Sequence, residues 1–132
     1  MKLLDTTFLV DHQRGEEDVA DFLEEQEEES EELVTSSINL KEIAVGKITV
    51  EDPTPSFEDI LSDFGWLTVE PFDEEQALEA ARIEAELRQS DEYDPRLSAD
   101  ILIAGVAQDL NAPVVTRNVS DFEQIGVDVQ EY

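Results

Sequence analysis

The chain has no cysteine, one histidine, and only eight lysines and arginines against 35 aspartates and glutamates. Without cysteine there is no disulfide, no thiolate metal site and no cysteine nucleophile, so a metal must be held by oxygen or by His12. No apolar run approaches the ~18 residues of a membrane span, and Asp5 interrupts the apolar start before a signal-peptide core can form. The expectation is a cytoplasmic protein with no membrane partner. Basic residues are also too few for the usual electrostatic attraction of nucleic acid: Lys2, Lys41 and Lys47 with Arg14, Arg82, Arg88, Arg96 and Arg117 are all there are.

What the sequence has in excess is negative charge, formally −27 at pH 7. Chains this acidic are often disordered. Here, however, 40% of residues are apolar and fall in regular patterns, and 132 residues suit one domain, 1–132, around one core. Very high salt reconciles the two facts. At molar ionic strength the Debye length falls to about 3 Å, so surface carboxylates cease to repel one another while their hydration maintains solubility. A halophilic source, such as a halophilic archaeon, is expected.

Short β-like runs alternate with longer helical ones, the pattern of an α/β fold whose parallel sheet is covered by helices on both faces. "KLLD", "ELVTSS", "WLTVEP", "PVVT" and "VDVQEY" read as five strands. "EEDVADFLEEQEEESEE" reads as a helix with Val19, Phe22 and Leu23 inward, and its run Glu24–Glu32 as a solvated face. Residues 6–15 receive no element. "SINLKEIAVGKI" is helical with Ser37 as its cap, and Ile38, Ile43 and the Leu40–Ala44 pair inward. "EDPTPSF", with two prolines, marks a break. "FEDILSDF" follows as a helix whose stripe of Phe57, Ile60, Leu61 and Phe64 suits either the core or a surface covered by another chain. "DEEQALEAARIEAELRQS" opens on a capping box of Asp73 and Gln76, with Ala77, Ala80, Ile83 and Leu87 inward. Ile101 to Ala107 is continuously apolar, so that helix lies deep; Ser98 is its expected cap and Asn111 its left-handed terminus. "VSDFEQI" is a short helical turn.

Two acids stand in informative places: Asp5 ends a buried strand, and Asp100 lies in the first turn of the most buried helix, where the helix dipole favours an anion. In open parallel sheets ligands bind outside the carboxyl ends of the strands. Asp5 lies there, "TRNVSDF" brings Asn118 and Asp121 to the same edge, and Glu42 sits on a mostly inward helix face. Each acid alone also suits a turn, a cap or a solvated position. Together, two carboxylates about 4 Å apart repel by roughly 4 kcal/mol at an effective dielectric near 20, and four multiply the cost. Protonation or a divalent cation must relieve it. An all-oxygen set suits Mg²⁺ or Mn²⁺, and the chemistry it supports is phosphodiester hydrolysis, with metal acidifying the attacking water.

The pieces "LLDTTFLVD", "TSSINLKEIAVG" and "SADILIAGVAQDLNAPVVTRNVSDFEQIGVDVQEY" occur in an order that resembles the PIN-domain family, and more narrowly the VapC-type toxins of toxin–antitoxin pairs. The resemblance spans essentially the whole chain. It implies a Mg²⁺-dependent endoribonuclease with Asp5, Glu42, Asp100 and Asp121 as catalytic metal ligands. In relatives the last acid falls at either the Asn118 or the Asp121 position. It further implies that Thr6, Thr116 and Asn118 support the ligands or the scissile phosphate. Among the few basic residues Arg117, inside "TRNVSDF", is the first candidate for a phosphate contact, the alternative being a simple surface residue. The implied partners are RNA, a small antitoxin whose contact surface includes the Phe57–Trp66 stripe, and a second copy in a homodimer. Alternatives are a housekeeping RNA-processing nuclease without an antitoxin and a non-catalytic interaction module. A phosphoacceptor receiver domain would require an acceptor aspartate ending strand three and a later lysine; Glu70–Pro71 stand there, and no lysine follows Lys47. His12 is expected to be an ordinary surface or partly packed residue.

The charge balance predicts native far-UV circular dichroism in molar KCl and partial unfolding in dilute buffer; full structure at low salt would refute the halophilic reading.

Overall fold

The computed structural model describes residues 1–51 and 53–132. Its centre is a three-residue strand, β1 (Lys2–Leu4), flanked by β2 (Leu33–Ser36) and β4 (Val114–Val115), with β3 (Thr68–Glu70) and β5 (Val129–Gln130) at the edges. The order is β3-β2-β1-β4-β5 and every pairing is parallel. Successive side chains on a strand point to opposite faces, which explains how the chain builds two apolar layers. Leu3, Val34 and Val114, aligned in register, enter the layer formed with α5 (Glu74–Gln89), α6 (Ser98–Leu110) and α7 (Val119–Ile125). Leu4 and Val115 enter the opposite layer, with α1 (Thr6–Gln13), α2 (Glu17–Glu28), α3 (Ser37–Val50) and α4 (Phe57–Leu61). The expected α/β fold, with five parallel strands between helices, is what the chain forms.

Helix α1 is the element the sequence pattern did not announce. It is eight residues long, and its two buried apolar residues, Phe8 and Leu9, are adjacent in sequence, which gives no helical periodicity to read. Two caps also differ in detail. Ser36, rather than Ser37, caps α3, because Asn39 reciprocates it: the Ser36 hydroxyl accepts the Asn39 N–H while Asn39 Oδ1 accepts the Ser36 N–H. Ser37 instead accepts the Phe72 N–H, fastening the segment after β3 to α3. Ser98 is the first residue of α6 rather than its cap, because a 3₁₀ turn, Pro95–Leu97, capped by Asp94, leads directly into the helix. Asp73 and Gln76 form the expected box on α5, but Gln76 is buried where Ala77 was expected and donates to Asp109.

The "FEDILSDF" stripe divides. Ile60 and Phe64 are buried, whereas Phe57 is 67% exposed, and the α-helix gives way to a 3₁₀ turn, Ser62–Phe64, where the Ser62 hydroxyl bonds the Asp59 carbonyl. Of the expected break at "EDPTPSF", Asp52 lies outside the described residues. Asn111 ends α6 in the left-handed conformation as expected, with φ 53°. Glu24 to Glu29 are solvated apart from Gln26, and Ser30 turns the chain with φ 55°. No helix among the described residues is long and apolar enough to cross a membrane.

Helices α5 and α6 approach closely at Gly105. A Cβ there would lie 2.8 Å from Ala80 Cβ and from the Gln76 carbonyl oxygen, and 2.9 Å from the Ala80 nitrogen. Two of these atoms are backbone and cannot swing aside. Gly105→Ala is therefore expected to lose stability by about 1–3 kcal/mol, since overpacking outweighs the gain of about 1 kcal/mol in helix propensity. Urea unfolding measures the outcome, and an unchanged or raised midpoint would contradict this packing.

Candidate metal centre

Strand order reverses between β1 and β4, because the chain builds β2 and β3 to one side of β1 and then β4 and β5 to the other. The crevice at such a switch point is where an open parallel sheet can admit a ligand. Asp5 leaves β1 into this crevice and Thr116 leaves β4 beside it; the Asp5 N–H donates to the Val115 carbonyl. Asp5 stands at the N-cap of α1 yet makes no side-chain capping bond. Its carboxylate is instead gripped from three elements. Thr116 donates to Oδ2 at 2.7 Å and Asn39 to Oδ1 at 3.0 Å, and the Thr7 hydroxyl stands 3.5 Å from Oδ2. An ionised carboxylate has about four acceptor sites, so these bonds leave capacity for a further ligand.

The other acids are arranged around it. Glu42, one turn beyond Asn39 on α3, accepts from the Thr6 hydroxyl at 2.7 Å, and Asn39 donates to the same hydroxyl at 3.0 Å. Asp100 projects from the first turn of α6 and accepts from the Asn118 amide at 3.1 Å. Asn118 holds the N-cap position of α7 but makes no capping bond with its side chain, which turns to Asp100. The Asn118 N–H in turn donates to Thr116, which closes a chain of bonds from Asp100 to Asp5. Asp121 stands further out, paired with Arg96 at 3.1 Å.

Electrostatics ties the four together. Burial raises the Asp5 carboxyl above its ordinary range, against the opposing hydrogen bonds from Thr116, the Thr6 backbone, Asn39 and Thr7. Asp100 is pushed up to about 6, first by burial and then by the charges of Asp5, Glu42 and Asp121. Among the described residues no lysine or arginine pairs with Asp5, Glu42 or Asp100. Nor is any trio of histidine or acidic side chains among them already drawn into a metal-binding arrangement. The four acids are thus within electrostatic reach of one another, short of a closed cage. Their chemistry is hard oxygen throughout, the donor set that hard divalent cations such as Mg²⁺ or Mn²⁺ prefer.

All eight residues singled out in the sequence lie at this edge, with differences among them. Thr6, Thr116 and Asn118 join the bonded network directly. Arg117 reaches the crevice, but its Nε donates to Asp11 at 2.6 Å, its Nη2 lies 3.3 Å from Asp18, and the guanidinium covers the Tyr132 ring. Two carboxylates therefore compete for the group expected to meet phosphate. Asn39, Thr7 and Arg96 were missed. Asn39 carried a signal, since it lies one turn before Glu42 and three residues after Ser36, so its capping position and its inward face coincide. His12 packs against Phe64 and Trp66 as an ordinary, partly buried residue.

The sequence profile of the PIN domain matches residues 2–127. No curated protein sequence is significantly similar to the chain. Among solved structures, the chain resembles VapBC from Salmonella typhimurium bound to DNA, at 26% identity and TM-score 0.81, with 99% of this chain and 98% of that one covered. VapBC2 from Rickettsia felis, bound to a fragment of promoter DNA, matches with TM-score 0.81 at 22% identity, again covering 99% and 98%. VapBC-1 from nontypeable Haemophilus influenzae matches with TM-score 0.80 at 22% identity, covering 98% and 96%.

A raised carboxyl pKa has a definite consequence for stability. The fold favours protonated Asp100, so its contribution is full below the ordinary value of 3.8 and is lost as pH rises through about 6. The whole shift is worth about 3 kcal/mol, which screening at a half-exposed site reduces to about 1 kcal/mol. In EDTA at pH 7, Asp100→Asn should melt about 3–5 °C above its parent, and the gain should fade as pH falls towards 4. Thermal scans across that range decide it; a lower melting point for the variant at pH 7 would contradict the crowded-acid description.

Proposed function

The chain belongs to the PIN-domain family, and from that premise we propose that it is a Mg²⁺- or Mn²⁺-dependent endoribonuclease serving as the toxin of a toxin–antitoxin pair. The observation that carries this reading is the hydrogen-bonded convergence of Asp5, Glu42 and Asp100 through Thr6, Asn39, Thr116 and Asn118, with no lysine or arginine among the described residues paired to any of the three acids. Such an arrangement is electrostatically incomplete, and a doubly charged ion completes it.

Asp5, Asp100 and Glu42 would hold the cation, with Asp121 joining once released from Arg96. When bound, it supplies positive charge at the scissile phosphate and acidifies water at neutral pH. The remaining work belongs to side chains. Thr116 and Asn39 fix the rotamer of Asp5, and Thr6 fixes that of Glu42. Asn118 aims Asp100 and, through its backbone N–H, ties that aim to Thr116. Thr6 and Thr116 spend their single hydroxyl protons on Glu42 and Asp5, whereas the Asn118 amide, with one N–H on Asp100, would also offer its second to the phosphate oxygens. Arg117 would contribute by exchanging its contact to Asp18, the more exposed of its two carboxylates. With ligands set in advance, little reorganisation is left for the moment of reaction.

The toxin assignment draws on the fold shared with the VapBC structures and on an uncovered apolar surface. Val50 is 80% exposed, Phe57 67%, Ile48 47% and Trp66 44%. These side chains belong to α3, α4 and the segment just after the Ser62–Phe64 turn, elements that touch one another in sequence; exposed apolar side chains of this kind can serve a protein partner, and a small antitoxin is the proposed occupant. A homodimer and a cytoplasmic location follow from the same family reading.

In molar KCl the purified chain should cut single-stranded RNA with Mg²⁺ or Mn²⁺, stop on addition of EDTA, and lose at least a thousandfold in rate as Asp100→Asn, about 4 kcal/mol of barrier. An Asp100→Asn variant as active as its parent would remove the assignment. Expression should arrest growth, relieved by a small protein encoded alongside; RNA cleavage without arrest would leave the housekeeping nuclease instead.

A further inference from the structure

The scarcity of positive charge makes each cation's position informative. Five of the eight, Lys47, Arg82, Arg88, Arg96 and Arg117, are ion-paired with carboxylates. Lys2, Lys41 and Arg14 have no such pair among the described residues, although acids outnumber bases by 35 to eight. Of these three, Arg14 lines a cleft beside the acid cluster. That cleft, about 270 Å³, is bounded by Thr6, Thr7, Val10, Asp11, Arg14 and Arg117.

Its geometry is that of a track leading away from the site. Thr6, Val10 and Arg14 are spaced four residues apart along α1 and its C-cap, so they share one face. Thr6 is bonded to Glu42 and Asn39 at the acid end, and Arg14 lies at the other, about 12 Å further by helix rise. The one acid in the cleft is already answered: Asp11 accepts from Arg117 and from the Tyr132 hydroxyl, each at 2.6 Å. Arg14 is therefore the cation lining the cleft that no carboxylate among the described residues holds in an ion pair, on a chain of formal charge −27. An arginine at a helix C-terminus also suits the helix dipole, but that role requires no cleft and no hydroxyls leading to the acids.

We infer that this α1 cleft carries the backbone of single-stranded RNA away from the acid cluster, with Arg14 binding a phosphate that flanks the scissile one. The inference rests on the ribonuclease reading and specifies the path of its substrate. Methylene stems and Val10 line the cleft for a sugar or base, while the guanidinium meets phosphate through paired donors.

The test titrates the Asp100→Asn chain, which does not cut, with fluorescently labelled single-stranded RNA in Mg²⁺, over KCl concentrations at which the chain is folded. Adding Arg14→Gln should weaken binding about 3–10-fold and reduce the slope of log affinity against log salt by about 0.7, the share of one phosphate contact on a single strand. Arg14→Lys should keep the slope. Arg82→Gln, an exposed site paired with Glu79, should change neither quantity. In the otherwise unaltered enzyme Arg14→Gln should raise KM with kcat unchanged. Normal RNA binding that is indifferent to Arg14→Gln, or equally sensitive to Arg82→Gln, would overturn the cleft assignment and leave the nuclease intact. A parent chain that neither binds nor cuts RNA would overturn both.

Discussion

A carboxylate 3% exposed at the end of the central strand is the constraint around which the molecule is arranged. Burial disfavours its charge, and it is held by neutral donors, from Thr116 on one neighbouring segment and Asn39 on another. Those bonds make the ionised form tolerable without cancelling it, so its field remains available to Asp100. The unfavourable electrostatics is offset elsewhere. Leu3 and Leu4 immediately before Asp5, and Val114 and Val115 immediately before Thr116, are fully buried on alternate faces of the sheet. Burying four such side chains contributes about 1.5–3 kcal/mol each, enough to hold two strand ends together against the repulsion at their tips. The apolar layers thus fix where the acids stand, and the acids set what the site demands.

The same arrangement explains which parts of the chain could be read from its sequence. Helix α6 was legible because nearly every side chain from Ile101 to Ala107 is buried, which a continuous apolar run encodes directly. Asp100 was legible for the same reason, being an acid at the start of that run. Helix α1 was not, because its buried residues are the adjacent pair Phe8 and Leu9, a pattern equally compatible with a strand. Ser36 and Ser37 are chemically identical as caps, and only the reply from Asn39 chooses between them. The Arg96–Asp121 pair joins residues 25 apart in sequence through a surface ion pair, and no local pattern records such a partner. Asn39 shows the intermediate case: its cap role was visible in spacing, but its grip on Asp5 needed the β1–α3 geometry.

Where the negative charge lies bears directly on the proposed RNA partner. The densest acidic run, Glu24–Glu32, ends where Glu32 accepts the Lys2 N–H and the amino terminus meets Glu31. That is the amino end of β1, whereas Asp5 and the cleft occupy its carboxyl end. Three strand residues separate the two ends by about 10 Å, three times the Debye length of about 3 Å at molar salt. Under those conditions the α2 tail contributes almost nothing at the site, and only groups within a few ångströms of the RNA matter. At about 10 mM salt the screening length grows to about 30 Å, comparable to the molecule itself, and the entire surface repels phosphate. On the proposed reading, the few arginines around the acid cluster would therefore meet RNA best in a solvent that screens the rest of the protein from it.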